Sequence, residues 1–184
     1  MQTGLILAVP DLQAAVEAWR ALVLPGARLD VPPHLSVLYP WVEREPTPED
    51  RARVQEATRH VRPFVVSFRE VGTFPGFVWL RPDPPEAVRA VYQAVAAAFA
   101  DFPPYAGAHP EVIPHLTVAT CEPWETATLA ARAAAALADP AAPGLGPFRA
   151  EGVDVAMRHN DEEPFTPHRV ATFGHGPASV LGPA

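Results

Sequence analysis

The chain contains no lysine. All 14 of its basic residues are arginines, set against 21 acidic ones, and the net charge over 184 residues is −7. Those arginines form no basic stripe, which argues against tight binding to long nucleic acid through many phosphate contacts. A small anionic ligand held by a few placed groups stays open. Cysteine is nearly missing as well: with Cys121 alone there is no internal disulfide, and the usage fits a reducing cytoplasm. Cys121 also has no adjacent base, so a catalytic thiol is not expected. Long apolar runs are missing too. The N-terminal MQTGLILAVPDLQ is short, lacks a basic leader and is cut by Asp11. It reads as a first strand, not as a signal peptide or a membrane span. Finally, His159, His168 and His175 lack metal-ligand spacing with carboxylates or cysteines, so neither a zinc site nor another cofactor is expected.

What is present suffices for a globular interior, with 48% hydrophobic residues. The length suits one domain over 1–184, built as two small lobes sharing a core and expected to be monomeric. Proline is frequent, at 24 residues, but apolar periodicity persists between the prolines, so it shortens elements and stiffens loops. Only the tail at 176–184 is expected to fray.

The chain repeats itself. GLILAVPD at 4–11 aligns with GFVWLRPD at 76–83, each a glycine, a strand-like apolar run and a Pro-Asp step suited to starting a helix. Asp11 and Asp83 are the expected helix-starting residues. The segments 12–23 and 85–102 follow, the second carrying Val88, Val91, Tyr92, Val95 and Phe99 at helical spacing. After a loop that is longer in the second copy come HLSV at 34–37 and HLTV at 115–118. The echo continues in helices at 47–61, with Thr47 or Asp50 near the start, and at 123–139. It ends in strand-like segments at 63–74 and 147–157, with a final strand from 168. The expected fold is α+β: two pseudo-symmetric lobes of antiparallel sheet, with helices on the outer faces and a central cleft.

Side chains alternate along a strand, so His34 and Ser36 point one way and Leu35 and Val37 the other; His115 and Thr117 likewise oppose Leu116 and Val118. In-line displacement at phosphorus needs a base near the attacking oxygen and an acid near the leaving one. Two histidines facing each other supply both, since an imidazole titrates near neutral pH. Hydroxyls at Ser36 and Thr117 can donate to the non-bridging phosphate oxygens. A lone strand histidine is more often structural than catalytic; it is the pairing that makes a shared site.

HLSV and HLTV resemble the paired His-x-Ser/Thr-x motifs of the two-histidine phosphoesterase superfamily, in its 2′-5′ RNA ligase-like, RNA 2′,3′-cyclic phosphodiesterase branch. The resemblance extends over both motifs and the duplicated frame, roughly residues 4–175. It implies metal-independent hydrolysis of a 2′,3′-cyclic phosphate, on a nucleotide or short RNA end, to a 2′-phosphomonoester. In that reading His34 protonates the leaving 3′ oxygen and His115 activates water. Members of the family often carry an arginine shortly after the second motif, where this chain has Thr120 and Cys121. Arg44 and Arg81 are the candidates to supply that cation, and ligase activity does not follow from the resemblance. Two alternatives stand beside this reading: a catalytically silent module holding a phosphorylated nucleotide in the same cleft, and a phosphodiesterase acting on another cyclic or 2′-5′-linked phosphodiester.

Other side chains have plainer expectations. Tyr39 and Trp41 follow the first motif and invite base stacking, but in a strand without a bulge both share the core face. Phe74, Phe77 and Trp79 are open to either role. His60 ends a helix, His109 lies in a loop, and Asp161, Glu162 and Glu163 form a solvated loop between the last two strands.

Overall fold

Apolar runs and amphipathic segments become eight strands and four α-helices in a computed structural model that describes residues 1–24, 31–107 and 112–174. His109, His175 and the tail at 176–184 lie outside the described residues. The first half of the chain supplies β1 (Gln2–Ala8), α1 (Gln13–Val23), β2 (His34–Leu38), α2 (Pro48–Thr58) and β3 (Phe64–Phe74). The second half supplies β4 (Phe77–Asp83), α3 (Pro85–Ala98), β5 (Leu116–Thr120) and α4 (Thr126–Ala138). It continues with β6 (Phe148–Ala150), β7 (Gly152–Arg158) and β8 (Thr166–Thr172).

Local chemistry accounts for the helices. Thr47 caps α2 in a reciprocal box with Asp50, each side chain bonding the other's backbone N–H, and Pro48 suits the first turn. In α3 the residues Val88, Val91, Tyr92 and Val95 form a buried stripe. Asp11 and Asp83 do not cap: neither α1 nor α3 has a side-chain cap bond. A short 3-10 turn at Pro10–Leu12 separates Asp11 from α1, and β4 runs on through Asp83.

All strand pairs are antiparallel, in two sheets ordered β2-β1-β7-β8 and β5-β4-β3-β6. Each sheet joins a strand–helix–strand unit from one half to strands of the other: β3 completes the second half's sheet, while β7 and β8 complete the first's. The expected single strand over 147–157 is therefore broken. Its first part, β6, pairs with β3, and β7 crosses to β1 in the other sheet. Gly152 stands at that switch, where a Cβ would collide with the carbonyl of Ala171.

The helices cross over as well. α2 and α3 pack together, α2 against β8 and α3 against β2; α1 and α4 pack together, α4 against β3 and β4 and α1 against β5. Leu5, Leu7, Leu35, Val37, Val78, Leu80, Leu116 and Val118 join the inward helix residues in one buried cluster. The leucine and valine of both motifs thus lie in the core, under the helices.

Candidate active site

The two motifs fold alike. From Pro33 to Tyr39 and from Pro114 to Thr120 the sequence of buried, half-buried and exposed positions is identical, with His34, Ser36, His115 and Thr117 half-buried and their neighbours inside. The cross-strand register shows why. Ser36 pairs with Ile6 and Leu38 with Leu5, leaving Val37 as an extra residue; Thr117 pairs with Trp79 and Ala119 with Val78, leaving Val118 as the extra one. Each motif strand carries a bulge at its valine, which puts two successive side chains into the core. This overturns the alternation expected for Tyr39. Beyond the bulge it returns to the histidine face, 37% exposed, with its ring over Gly4. Trp41 is buried, edge-on to Phe99.

β2 and β5 are edge strands of different sheets, and they approach one another. Each imidazole is fixed in the same way: Nδ1–H of His34 donates to the Pro32 carbonyl at 2.7 Å, and that of His115 to the Ile113 carbonyl at 2.7 Å. A carbonyl only accepts, so Nδ1 holds the proton and Nε2 is left with its lone pair in the neutral ring. Burial lowers the His34 pKa to about 4 against the pull of the Pro32 carbonyl, and the charges of His115 and Arg20 lower it further. Burial lowers His115 too, opposed by the Ile113 carbonyl.

The walls beside the two histidines differ. His115 stands edge-on to Phe74, centroids 5.2 Å apart, and 5.9 Å from Trp79, while Phe74 and Trp79 tilt together at 5.1 Å. Gly72 makes room for the indole; any Cβ there would meet its ring. Phe77, paired across from Phe74 and Thr120, is 44% exposed on the same face. Beside the His115 approach lies a pocket of about 240 Å³ lined by Arg81, Pro85, Arg89, Ile113 and Pro114. On the His34 side, burial raises the pKa of the Tyr105 phenol, opposed by the Ser36 hydroxyl.

The cation whose charge bears on His34 is neither expected one. Arg44 is exposed and paired with Asp50, and Arg81 bridges Glu70 at 3.5 Å. Arg20 is instead only 6% exposed, with Nη2 donating to the Thr117 carbonyl at 3.0 Å and Nε buried without a partner. Its field reaches His34. A signal for it was present: Val16, Trp19, Arg20 and Val23 occupy an i, i+3, i+4, i+7 stripe, so a charge stands where helical spacing wants an apolar residue.

The remaining candidates lie apart from this centre. His60, His159 and His168 are exposed, as are Asp161, Glu162 and Glu163 between β7 and β8. The Cys121 thiol lies 3.8 Å from the Thr126 hydroxyl. No helix among the described residues is long and apolar enough to cross a membrane.

A family model described as the 2′-5′ RNA ligase superfamily matches residues 8–162. No curated protein sequence matches. Among solved structures, TT0787 of Thermus thermophilus superposes with a TM-score of 0.61 at 18% identity, over 91% of this chain and 94% of that one. LigT of E. coli, solved in complex with 3′-AMP, gives 0.59 at 16% identity over 91% and 95%. A structure described as a phosphoesterase gives 0.56 at 14% over 91% and 95%. At these identities the likeness is one of fold.

Proposed function

Because the chain belongs to the 2′-5′ RNA ligase superfamily, we propose that it is a phosphodiesterase that opens a 2′,3′-cyclic phosphate, on a nucleotide or short RNA end, to a 2′-phosphomonoester. One observation carries this reading: two imidazoles on facing strands, each anchored through Nδ1 to the carbonyl two residues earlier, each followed on its own face by a hydroxyl. His115 Nε2 takes a proton from water as its oxygen attacks phosphorus. The bond from phosphorus to O3′ breaks, and His34 gives its Nε2 proton to that oxygen. Water is consumed, and the products are a free 3′-hydroxyl and a 2′-phosphate. Ser36 and Thr117 donate to the non-bridging oxygens, where charge builds in the transition state.

The depressed pKa values fit this cycle. Burial disfavours the charged form of both rings. A bound phosphodiester brings a negative charge, which favours an imidazolium beside it, so the acid's proton arrives with the substrate. Buried Arg20 adds positive potential from behind the sheet. A small nucleotide is the favoured ligand, in keeping with the lack of a basic stripe in the sequence and with the 3′-AMP and NADP+ complexes of LigT. The aromatic face of Phe74 and Phe77 offers a surface for its base.

The test is phosphorus NMR of 2′,3′-cyclic AMP with the purified protein in EDTA, alongside His34→Ala and His115→Ala. Conversion to the 2′-monophosphate is expected from wild type, with each variant slower by about 10²–10⁴-fold and still folded. A variant turning over at the wild-type rate contradicts the assignment. Nucleotide binding without turnover would make the protein a silent module.

A further inference from the structure

Helices α1 and α3 carry the same buried stripe. With 4–11 laid on 76–83, as the sequence repeat has them, Val16, Trp19, Arg20 and Val23 answer to Val88, Val91, Tyr92 and Val95. Each helix packs against the motif strand of the other half, α1 on β5 and α3 on β2. The stripes differ in charge at their third position, where α3 has a phenol and α1 a guanidinium. Burying a guanidinium costs free energy that an apolar residue in the stripe would not. Arg20 nonetheless lies inside, with Nε–H unpartnered and Nη2 donating to the Thr117 carbonyl at 3.0 Å. That bond falls on the residue that carries the second motif's hydroxyl, immediately before the bulge at Val118. Burial lowers the Arg20 pKa, opposed by Glu17 one turn earlier on α1, but an arginine keeps its charge at any working pH.

We propose that Arg20 is a positioning residue of the site: from the helix side it holds Thr117 at the bulge and keeps a permanent positive charge beneath the two motifs. The Thr117 hydroxyl meets a phosphate oxygen only if its backbone is fixed, and the first half of the chain fixes it through this bond. The charge acts on the chemistry. A cyclic phosphodiester carries one negative charge, and attack by a water that His115 deprotonates adds a second, so a fixed cation favours the transition state over the bound substrate. It also makes a protonated His34 a stronger acid toward the leaving oxygen. Burial is the chief cause lowering the His34 pKa, and the charges of His115 and Arg20 lower it further. Glu17, His34 and His115 are thus the titratable groups coupled to this charge. At the matching place on α3, burial raises the Tyr92 pKa and keeps the phenol neutral, so the charge enters from one helix alone.

This inference rests on the phosphodiesterase reading, and two kinds of readout keep their failures apart. Arg20→Met keeps an unbranched stem without the charge, and Arg20→Lys keeps the charge. Both are compared with wild type in kcat and KM for 2′,3′-cyclic AMP across pH, and in the His34 titration followed by proton NMR of the imidazoles. Arg20→Met is expected to lower kcat about 10-fold or more while KM changes less than about threefold. It is also expected to move the alkaline limb of the kcat profile and the His34 titration upward by about half a pH unit or more. Arg20→Lys is expected to return the titration to the wild-type position and to recover part of kcat. Wild-type turnover in Arg20→Met overturns the proposal, and so does a His34 titration that stays in place. If Arg20→Met does not fold, Arg20→Gln, neutral and still a donor, takes its place; failure of both to fold makes Arg20 structural and overturns the proposal too. If wild type opens no cyclic phosphate, the activity reading fails alone. The titration then decides for Arg20 together with the dissociation constant of adenosine 2′-monophosphate, which is expected to rise about 10-fold in Arg20→Met and to stay unchanged if the proposal is wrong.

Discussion

At the scale of residues, the protonation of His34 ties the site to the stability of the fold. Its pKa of about 4 lies below the 6.5 of an unfolded chain, mainly through burial. Between those two values the unfolded state holds the extra proton, so stability rises as the pH climbs from 4 to 6.5 and is lost again as it falls through 4. The shift corresponds to roughly 3 kcal/mol at most. Asp50, held down to about 2 by Arg44, titrates below this window and leaves it clear. His34→Gln removes the titrating group while keeping a polar side chain of similar reach. We therefore expect its melting temperature to vary less than that of wild type between pH 4 and 6.5, His115 keeping a smaller slope of the same sign. Parallel curves for the two proteins would mean that His34 is not buried as a neutral ring.

At the scale of elements, the motif strands and helices were legible in the sequence because their periods are local. The stripe of α3, the Thr47 cap and the two histidine motifs each follow from spacing within one segment. A bulge is a relation between two strands, and Val37 and Val118 look like ordinary strand valines; nothing in either motif announced that two successive residues would turn inward. Tyr39 was misplaced for that reason alone. The docking of residues 105–107 on β2, where the Tyr105 N–H donates to the Tyr39 carbonyl, left no sign in the sequence either, since left-handed torsions at tyrosine and alanine run against residue preference. Register also explains Gly72, which pairs directly with Trp79. Replacing it by alanine pushes a methyl group into the indole, and the indole carries the strain to Phe74 and His115. We expect Gly72→Ala to cost about 1–3 kcal/mol of stability and to depress turnover as well, through the aromatic wall beside His115. A variant that loses stability but keeps full activity would show that the aromatic wall does not hold His115 in place.

At the scale of the molecule, the repeat seen along the chain does not correspond to two units that stand alone. Each sheet takes strands from both halves, and each helix layer is drawn from both as well, α1 packing toward β5 and α3 toward β2. A fragment ending after β3 would hold β1 and β2 without β7 beside them, and β3 without β4. Its complement would lack β3 between β4 and β6, and β1 beside β7. Neither would own a finished sheet, and buried Arg20 would lose its Thr117 acceptor. Fragments of this size bury too little surface to do without such partners. We expect residues 1–75 and 76–184, expressed separately, to lack any cooperative thermal transition by circular dichroism, whereas the whole chain melts in one step. Either fragment melting cooperatively would show that the halves are independent lobes, merely docked. If the halves are interlocked as the topology has them, the facing of β2 and β5 is a product of the entire fold. The proposed acid and base, one from each half, then meet only when the whole chain has folded.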